Sequence, residues 1–198
     1  MTERLGLFGG SFDPVHRAHL ALARAALQSL RLDRVLWLPA GQPWQKTRAL
    51  TPAAHRVAML QLALQGEPRF VLDARETTRS GPSYTVQSVR ELRAEHPQAR
   101  LFLLIGQDQF AGFHTWHGWQ EILQQVELAV AARPGAAPAA DAAVLRHRHH
   151  VVPLAPQDVA ATTVRARVAA GESIADLVPP EVARYIDRQG LYRAASGS

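Results

Sequence analysis

The chain has 198 residues, 47% of them hydrophobic and 20% charged, a composition typical of a globular protein with one well-buried core. It contains no cysteine, which excludes disulfide bonds, zinc-thiolate sites and thiol nucleophiles. Its formal net charge is +5, from 22 lysines and arginines against 17 acidic residues, a balance that suits anionic substrates as well as nucleic acid.

The sequence shows no pattern of a membrane segment. No apolar run approaches the ~20 residues that span a bilayer, and the first residues lack a basic-then-apolar signal pattern. We expect a cytoplasmic protein without membrane association, with one domain over residues 1–198 and a disordered tail at 193–198. Because no block of basic residues has interleaved aromatic side chains, we expect small-molecule partners and no nucleic acid.

The first stretch that carries chemistry follows a short apolar run at residues 5–8 and reads GGSFDPVHRAH from Gly9 to His19. An Ala/Leu-rich segment, 20–30, comes next, so the pattern predicts a strand, a glycine turn and a helix. Gly9 and Gly10 lack a Cβ, which lets anionic oxygens approach the backbone N–H groups beside a helix N-terminus. The turn is therefore a candidate phosphate site.

The residues after the glycine turn predict how the helix begins. Asp13-Pro14 fits a helix start, with a capping side chain followed by the residue tolerated at the first helical position. On that helix His16 and His19, three residues apart, share one face and point back toward the turn. Two imidazoles beside a glycine turn indicate contacts with phosphate.

Strands and helices alternate along the rest of the chain. The predicted strands are 34–39, 70–73, 100–106, 128–132 and a short one ending near 154, and the predicted helices are 51–64, one that Ser83 or Thr85 caps and that ends near Glu95, 116–125, 160–170 and 179–190. This alternation predicts an α/β fold, a Rossmann-like doubly wound parallel sheet of about five to six strands with helices on both faces.

The run Arg100–Gly106 has the longest unbroken apolar character of these strands, which indicates a central parallel strand covered on both faces. Like the first strand, it ends in glycine. Ligands of open parallel sheets bind outside the carboxyl ends of the strands. We therefore expect Gly9-Gly10 and the segment Gly106–Asp108 to line the same crevice.

Three histidines, His147, His149 and His150, lie at the start of the last predicted strand and could be taken for a metal site. Their alternating spacing, the lack of cysteine and the lack of a nearby carboxylate favour a solvated sheet edge instead.

The stretch Gly9–His19 resembles the (T/S)-F-D-P-x-H-x-G-H signature of the nucleotidyltransferase superfamily, with Ala18 where that family usually has glycine. Further motifs extend the resemblance to bacterial nicotinate-nucleotide adenylyltransferase over nearly the whole chain. They are H-R-x-x-M-L at His55–Leu60, E-x-x-R-x-G-P-S-Y-T at Glu76–Thr85, I-G-x-D at Ile105–Asp108, T-W at Thr115-Trp116, R-P-G at Arg133–Gly135, T-x-V-R at Thr162–Arg165, and the closing P-x-x-V-x-x-Y-I-x-x-x-x-L-Y at Pro179–Tyr192.

The resemblance implies that ATP and nicotinate mononucleotide react to give nicotinate adenine dinucleotide and pyrophosphate, with Mg²⁺ assisting. The residues suit this chemistry independently of the resemblance. A phosphate nucleophile is already an anion near neutral pH, so the site needs no general base and no covalent nucleophile. Such a reaction depends on positioning two anions and neutralising the charge that grows on the leaving pyrophosphate.

The family's site roles fall on matching positions of this chain. The ATP site would comprise Gly9, Gly10, Ser11, Phe12, His16, His19, Gly106, Asp108, Arg133, Thr162, Val164 and Arg165, of which His16, His19 and Arg165 are the expected catalytic residues. The mononucleotide site would comprise Lys46, Ser83, Tyr84, Thr85 and Trp116. The C-terminal segment 160–192 would complete the ATP site, and Mg²⁺ would be held mainly by substrate phosphates rather than by protein ligands.

Within that site, the resemblance implies individual contacts. Asp108 would accept hydrogen bonds from ribose hydroxyls, and Arg165 would hold the β- or γ-phosphate of ATP. Lys46 would lie near the mononucleotide phosphate, Thr85 near the nicotinate carboxylate, and Trp116 would stack on the pyridine ring.

Two departures from the family pattern affect phosphate contacts. Gln45 replaces a histidine in the loop after the second strand, and Ala160-Ala161 replaces two serines before the helix of Arg165. Two other functions stay open: another small nucleotidyltransferase, acting on phosphopantetheine or making a CDP-alcohol, and a non-catalytic nucleotide- or RNA-binding module. A homo-oligomer also stays open.

Overall fold

The computed structural model describes residues 2–42, 50–132, 135, 137–155, 157 and 159–194. Of the positions singled out above, Gln45, Lys46 and Arg133 lie outside the described residues, as do residues 195–198 of the predicted tail.

In the described part of the chain, six parallel strands form one sheet. They are β1 (Arg4–Gly10), β2 (Arg34–Pro39), β3 (Phe70–Leu72), β4 (Arg100–Gly106), β5 (Glu127–Ala132) and β6 (His149–Pro153), in the order β3-β2-β1-β4-β5-β6. The chain winds outward from β1 through β2 to β3, returns to β4 beside β1, and winds outward in the other direction. This reversal is the doubly wound topology that the sequence predicted, and β1 and β4 flank the switch point.

Helices connect the strands. They are α1 (Arg17–Ser29), α2 (Ala53–Ala63), α3 (Thr85–Glu95), α4 (Gln107–Ala111), α5 (Trp119–Gln125), α6 (Ala142–Leu145), α7 (Ala161–Ala169) and α8 (Pro180–Arg188), with 3₁₀ turns at Arg75–Thr78 and Phe113–Thr115. Within the described residues, no helix is both long enough and apolar enough to cross a membrane. The cytoplasmic location stays a prediction.

The sheet separates two hydrophobic clusters, because successive residues of a strand point to opposite faces. Along β4, Leu101, Leu103 and Ile105 pack in the cluster with α3, α4 and α5, whereas Phe102 and Leu104 pack in the cluster with α1, α2, α7 and α8. All five side chains are at most 2% exposed, and each fully buried side chain of this size stabilises the fold by about 1.5–3 kcal/mol. The predictions of a central β4 and of helices on both faces are confirmed.

The predicted start of the first helix at Asp13-Pro14 is wrong. Helix α1 begins at Arg17 with His16 as its N-cap residue, and Asp13-Pro14 is a cis peptide bond in the preceding turn. The Asp13 carboxylate accepts hydrogen bonds from the Tyr192 hydroxyl (2.6 Å) and the Thr51 backbone N–H (3.4 Å). These partners are distant in sequence, so local capping statistics could not reveal them.

Two other helix starts also differ from the predictions. The N-cap residue of α3 is Tyr84, which makes no side-chain capping bond. The predicted cap Ser83 has other partners, because its hydroxyl accepts hydrogen bonds from the backbone N–H groups of Gly41 and Gln42, at 2.9 and 3.2 Å. The helix predicted from residue 116 begins at Trp119, directly after Gly118, whose φ of 68° lies in the left-handed region.

Candidate active site at the strand switch point

A cavity of about 480 Å³ opens at the carboxyl ends of β1 and β4, where doubly wound sheets bind their ligands. It brings together most of the predicted site residues that the structure describes: Gly9, Gly10, Ser11, Phe12, His16, His19, Ser83, Thr85, Gly106 and Trp116 all line it. The residues of the predicted ATP and mononucleotide sites thus share one cavity. The expected crevice between Gly9-Gly10 and Gly106 is present, whereas Asp108 is exposed and does not line it.

The two glycines that end β1 have different surroundings. A Cβ built on Gly9 would meet no atom within 4 Å, so the backbone there is open to a ligand. A Cβ on Gly10 would lie 3.1 Å from the Phe12 ring, and that ring packs edge-on against Phe8 and His19, with centroids 5.4 and 5.1 Å away. Gly9 therefore leaves room for a ligand beside its backbone, and Gly10 leaves room for the packed Phe12 ring.

The two histidines contact each other directly. Their ring centroids are 3.6 Å apart and the planes are 26° from parallel. The His16 backbone N–H donates to His19 Nδ1 (3.1 Å). Since Nδ1 is the acceptor, a neutral His19 carries its proton on Nε2, which makes Nε2 a hydrogen-bond donor. The backbone of one histidine thus sets the tautomer of the other.

Both imidazoles are neutral at pH 7. Burial lowers the pKa of His16 to about 4, and burial together with the neighbouring His16 holds the pKa of His19 well below its ordinary value. His16 Nδ1 is buried and has no hydrogen-bond partner among the described residues. A buried polar atom without a partner is costly, so this nitrogen is suited to contact a ligand that enters the cavity.

Arg56 holds together three loops at the rim of the cavity. Its guanidinium donates from Nε to the Thr51 carbonyl (2.9 Å), from Nη1 to the Ser11 carbonyl (2.8 Å) and from Nη2 to the Gly41 carbonyl (3.2 Å). The side chain is 1% exposed, and burial lowers its pKa against the opposing effect of the nearby Asp13. The sequence analysis assigned no role to Arg56.

A sequence signal for this buried arginine does exist. Arg56 precedes Met59 and Leu60 by three and four residues, so all three side chains share the buried face of α2. A charged residue on an apolar helix face needs buried partners. The loop predicted between the second strand and α2 carries backbone carbonyls that can accept hydrogen bonds from it.

The side of the cavity predicted to bind the mononucleotide includes Thr85, Trp116 and Glu76. Trp116 is partly exposed, and its ring lies 4.9 Å from that of Phe113. Glu76 is buried, which raises its pKa, although the Ser88 hydroxyl donates to Oε1 (2.6 Å) and partly offsets this effect. Glu76 lines the cavity and is, after Arg56, a second residue to which the sequence analysis gave no role.

Other predicted site residues lie beside the cavity rather than in its lining. Arg165 Nη1 donates to the Asp13 carbonyl (2.7 Å), which places this arginine against the turn that leads to His16. Thr162 is exposed, and Val164 is fully buried in the core, so the Val164 side chain is not available to ATP. The Tyr84 ring packs on His117, with centroids 4.4 Å apart.

The histidines of the last strand differ in one respect from the sequence analysis. His150 Nε2 lies 2.7 Å from the Glu127 carboxylate, so the statement that no carboxylate is near is wrong. Glu127 is on β5, and only the pairing of β5 with β6 brings it close. Within the described residues, no group of three or more His, Asp or Glu side chains is arranged to hold a metal ion.

The cytidylyltransferase-like family model matches residues 7–167, which include both glycine turns and the two histidines. The chain is 48% identical to the probable nicotinate-nucleotide adenylyltransferase of Methylibium petroleiphilum, over 98% of this chain and 95% of the relative. It is 49% identical to the protein of the same name from Bordetella petrii, over 96% and 100%. The chain belongs to the nicotinate-nucleotide adenylyltransferase family.

Solved structures share the fold of this chain. Plasmodium falciparum nicotinic acid mononucleotide adenylyltransferase complexed with NaAD superimposes with a TM-score of 0.79 at 17% identity, covering 96% of this chain and 97% of that one. The same protein complexed with APC gives the same TM-score at 16% identity. At these identities the likeness shows the shared fold of the nicotinate-nucleotide adenylyltransferase family.

Proposed function

We propose that this chain transfers the adenylyl group of ATP to nicotinate mononucleotide in NAD biosynthesis, forming nicotinate adenine dinucleotide and pyrophosphate. The observation that carries the proposal is the composition of the cavity. Its β1 side presents an open glycine backbone and two stacked imidazoles, and it continues to a polar and aromatic side with Thr85 and Trp116. Family membership at 48–49% identity over nearly the whole chain supports the same reaction.

In the proposed reaction, an oxygen of the mononucleotide 5′-phosphate attacks the α-phosphorus of ATP. A new phosphorus–oxygen bond forms, the bond between the α-phosphorus and the bridging oxygen breaks, and the electron pair leaves with pyrophosphate. No proton has to be removed from the nucleophile, so neither histidine has to act as a base. The protein contributes positioning and hydrogen-bond donors toward the growing charge.

The two histidines are suited to the leaving pyrophosphate. His19 can donate from Nε2, because its Nδ1 is occupied by the His16 backbone N–H. A bound polyanion favours the charged form of a nearby imidazole and raises its pKa. We therefore propose that His16 takes up positive charge only when phosphates are bound, whereas His19, whose Nδ1 accepts from the His16 backbone, stays neutral and donates from Nε2. The empty cavity then avoids the cost of a buried cation.

Mg²⁺ is proposed to arrive with ATP and to neutralise part of the phosphate charge. The cavity carboxylates fit a metal held mainly by substrate, because Asp13 accepts from Tyr192 and Glu76 accepts from Ser88. The remaining predicted ligand contacts stay predictions: Lys46, Asp108, Arg133, Thr162, Val164 and Arg165.

The assay mixes the protein with ATP and Mg²⁺ and supplies either nicotinate mononucleotide or nicotinamide mononucleotide, with phosphopantetheine and a CTP–alcohol phosphate pair in parallel reactions. Products are identified by mass spectrometry and pyrophosphate is quantified. We expect dinucleotide from the nicotinate substrate. Pyrophosphate release only with phosphopantetheine or the CTP pair would assign a different transferase, and release with none would leave a binding module.

A matched tryptophan pair tests the position of the pyridine ring. Trp116→Ala removes a ring that lines the cavity, whereas Trp119→Ala removes a partly buried ring of α5 that does not line it. Stacking on a nucleobase-sized ring contributes about 1–3 kcal/mol, so Trp116→Ala should raise KM for the mononucleotide about 5-fold to 150-fold. Trp119→Ala should lower stability but leave this KM near parental. A selective loss of ATP affinity in Trp116→Ala would place the pyridine elsewhere.

A further inference from the structure

The turn between the glycines and the histidines is fixed by residues from outside its own element. Asp13 is fully buried and accepts a 2.6 Å hydrogen bond from the hydroxyl of Tyr192, which is 179 residues away in the sequence. Its carbonyl accepts from Arg165, and the carbonyl of Ser11 accepts from Arg56. Of these donors, Tyr192 belongs to the C-terminal segment, defined here as residues 175–192.

The C-terminal segment contacts the same turn at its other end. The Arg17 backbone N–H, at the first residue of α1, donates to the Leu177 carbonyl (2.9 Å), and Arg17 Nη2 donates to the Ala175 carbonyl (3.2 Å). Residues 13–17, which contain His16, are thus held on both sides by residues 175–192. The segment itself is anchored by Val182 and Ile186, which are 0% and 1% exposed in the core.

Two residues at or beside the Tyr192–Asp13 contact have unusual backbone conformations. Phe12, directly before Asp13, has φ of 44°, and Tyr192 has φ of 64°. Side chains rarely adopt this left-handed region, and only one other non-glycine residue, Arg31, does so in the described part of the chain. Strained backbone persists where surrounding interactions determine it and is concentrated at functional sites.

We propose that Tyr192 is a positioning residue for ATP: its hydroxyl holds the Asp13 carboxylate and thereby keeps the turn 11–16 in the conformation that presents the glycine backbone and the His16 imidazole to the triphosphate. The inference rests on the proposed function for the identity of the ligand. Tyr192 itself does not line the cavity and acts through Asp13. Burial raises the pKa of the Tyr192 hydroxyl, so it stays protonated and donates over the whole neutral range.

The test compares two tyrosine-to-phenylalanine variants of the full chain. Tyr192→Phe removes the hydroxyl that donates to the Asp13 carboxylate and that also hydrogen bonds with the Thr51 side chain. Tyr185→Phe removes a hydroxyl of the same C-terminal segment, which is hydrogen bonded to His55 Nδ1 (2.9 Å) and does not line the cavity. Both variants lose one phenolic oxygen from the same segment, so a purely structural role predicts similar thermal unfolding temperatures and similar kinetics.

Three readouts are measured: the ATP dissociation constant by calorimetry without mononucleotide, KM for each substrate, and amide hydrogen exchange in residues 11–17. Removing a hydrogen bond to a charged group changes an equilibrium constant by roughly tenfold or more. Tyr192→Phe should therefore weaken ATP binding about tenfold, change the mononucleotide KM by less than about twofold, and speed exchange in the turn. Tyr185→Phe should match the parent in all three.

The proposal is overturned if Tyr192→Phe keeps parental ATP affinity and parental exchange, or if both variants weaken the two substrates equally. A parent protein that binds ATP but makes no dinucleotide would refute the proposed function alone, because the ATP affinities of the variants would still decide the role of Tyr192. Should the parent fail to bind ATP, both proposals fail.

Discussion

Replacing Arg56 with lysine tests whether the cavity depends on the planar guanidinium or only on a positive charge. The arginine donates in three directions from three nitrogens, to the carbonyls of Thr51, Ser11 and Gly41. A lysine ammonium is a single nitrogen on a flexible stem. In Arg56→Lys the ammonium keeps the positive charge, but it can donate to only one of the three carbonyls as they are now placed.

The loss follows from counting the carbonyls left without a donor. Two partly buried carbonyls remain without this donor, and each unsatisfied buried polar group costs about 1–3 kcal/mol. We expect Arg56→Lys to lose about 2–6 kcal/mol of unfolding free energy, which corresponds to a fall in Tm of roughly 4–24 °C for a domain of this size. Because the Ser11 and Gly41 loops border the cavity, KM for ATP should rise as well.

The assay is urea and thermal unfolding followed by tryptophan fluorescence, together with steady-state kinetics. Arg93→Lys is the matched control, since Arg93 donates to the carbonyls of Ala99 (2.7 Å) and Gln125 (2.6 Å) and does not line the cavity. The control should lose stability without a change in KM. A loss of about 2 kcal/mol lowers the Tm of a domain of this size by several degrees. If Arg56→Lys unfolds within about 2 °C of the parent, the three hydrogen bonds of the guanidinium are not needed for stability.

Three further results are expected. His19→Ala should lower turnover by about 10²–10³-fold, the scale for one transition-state hydrogen-bond donor, with an unchanged circular dichroism spectrum; near-parental turnover would remove the phosphate role. The pKa of His16 is about 4, below the value of about 6.5 in unfolded chains, so its stabilising contribution is complete above pH 6.5 and declines toward pH 4. Lowering the pH from 7 to 5 should therefore cost the parent about 2 kcal/mol more than His16→Gln in urea unfolding, and equal losses would contradict this. A Cβ at Gly41 would lie 2.3 Å from the Glu76 carbonyl oxygen, so Gly41→Ala should lose about 1–3 kcal/mol or more of unfolding free energy. Gly9 has open space beside it, so Gly9→Ala should keep the parental Tm and lose ATP affinity. Equal melting temperatures for the two variants would show that the Gly41 contact relaxes freely.

The local sequence was sufficient for most of the sheet. The apolar runs 34–39 and 100–106 coincide with β2 and β4, because a buried parallel strand needs an unbroken run of apolar residues and ends where glycine or proline interrupts it. The alternation of these runs with helical periodicity fixed the doubly wound class. The glycine turns then had to meet at one sheet edge, so the location of the cavity was also predictable.

Contacts across long sequence separations were not predictable in this way. The sequence contains Arg56, Glu127 and Tyr192, but the carbonyl of Ser11, the imidazole of His150 and the carboxylate of Asp13 become their partners only when strands pair and helices pack. For this reason the start of α1 was misplaced and the role of Arg56 was missed.

The two histidines show the division most clearly. Their presence and their spacing beside Gly9-Gly10 were enough to predict a phosphate site. Only the tertiary structure shows that His16 is the N-cap residue of α1, that its backbone sets the tautomer of His19, and that burial keeps both rings neutral. The residue type determines which chemistry is available, whereas the protonation state depends on how much water and which neighbours the fold leaves around each ring.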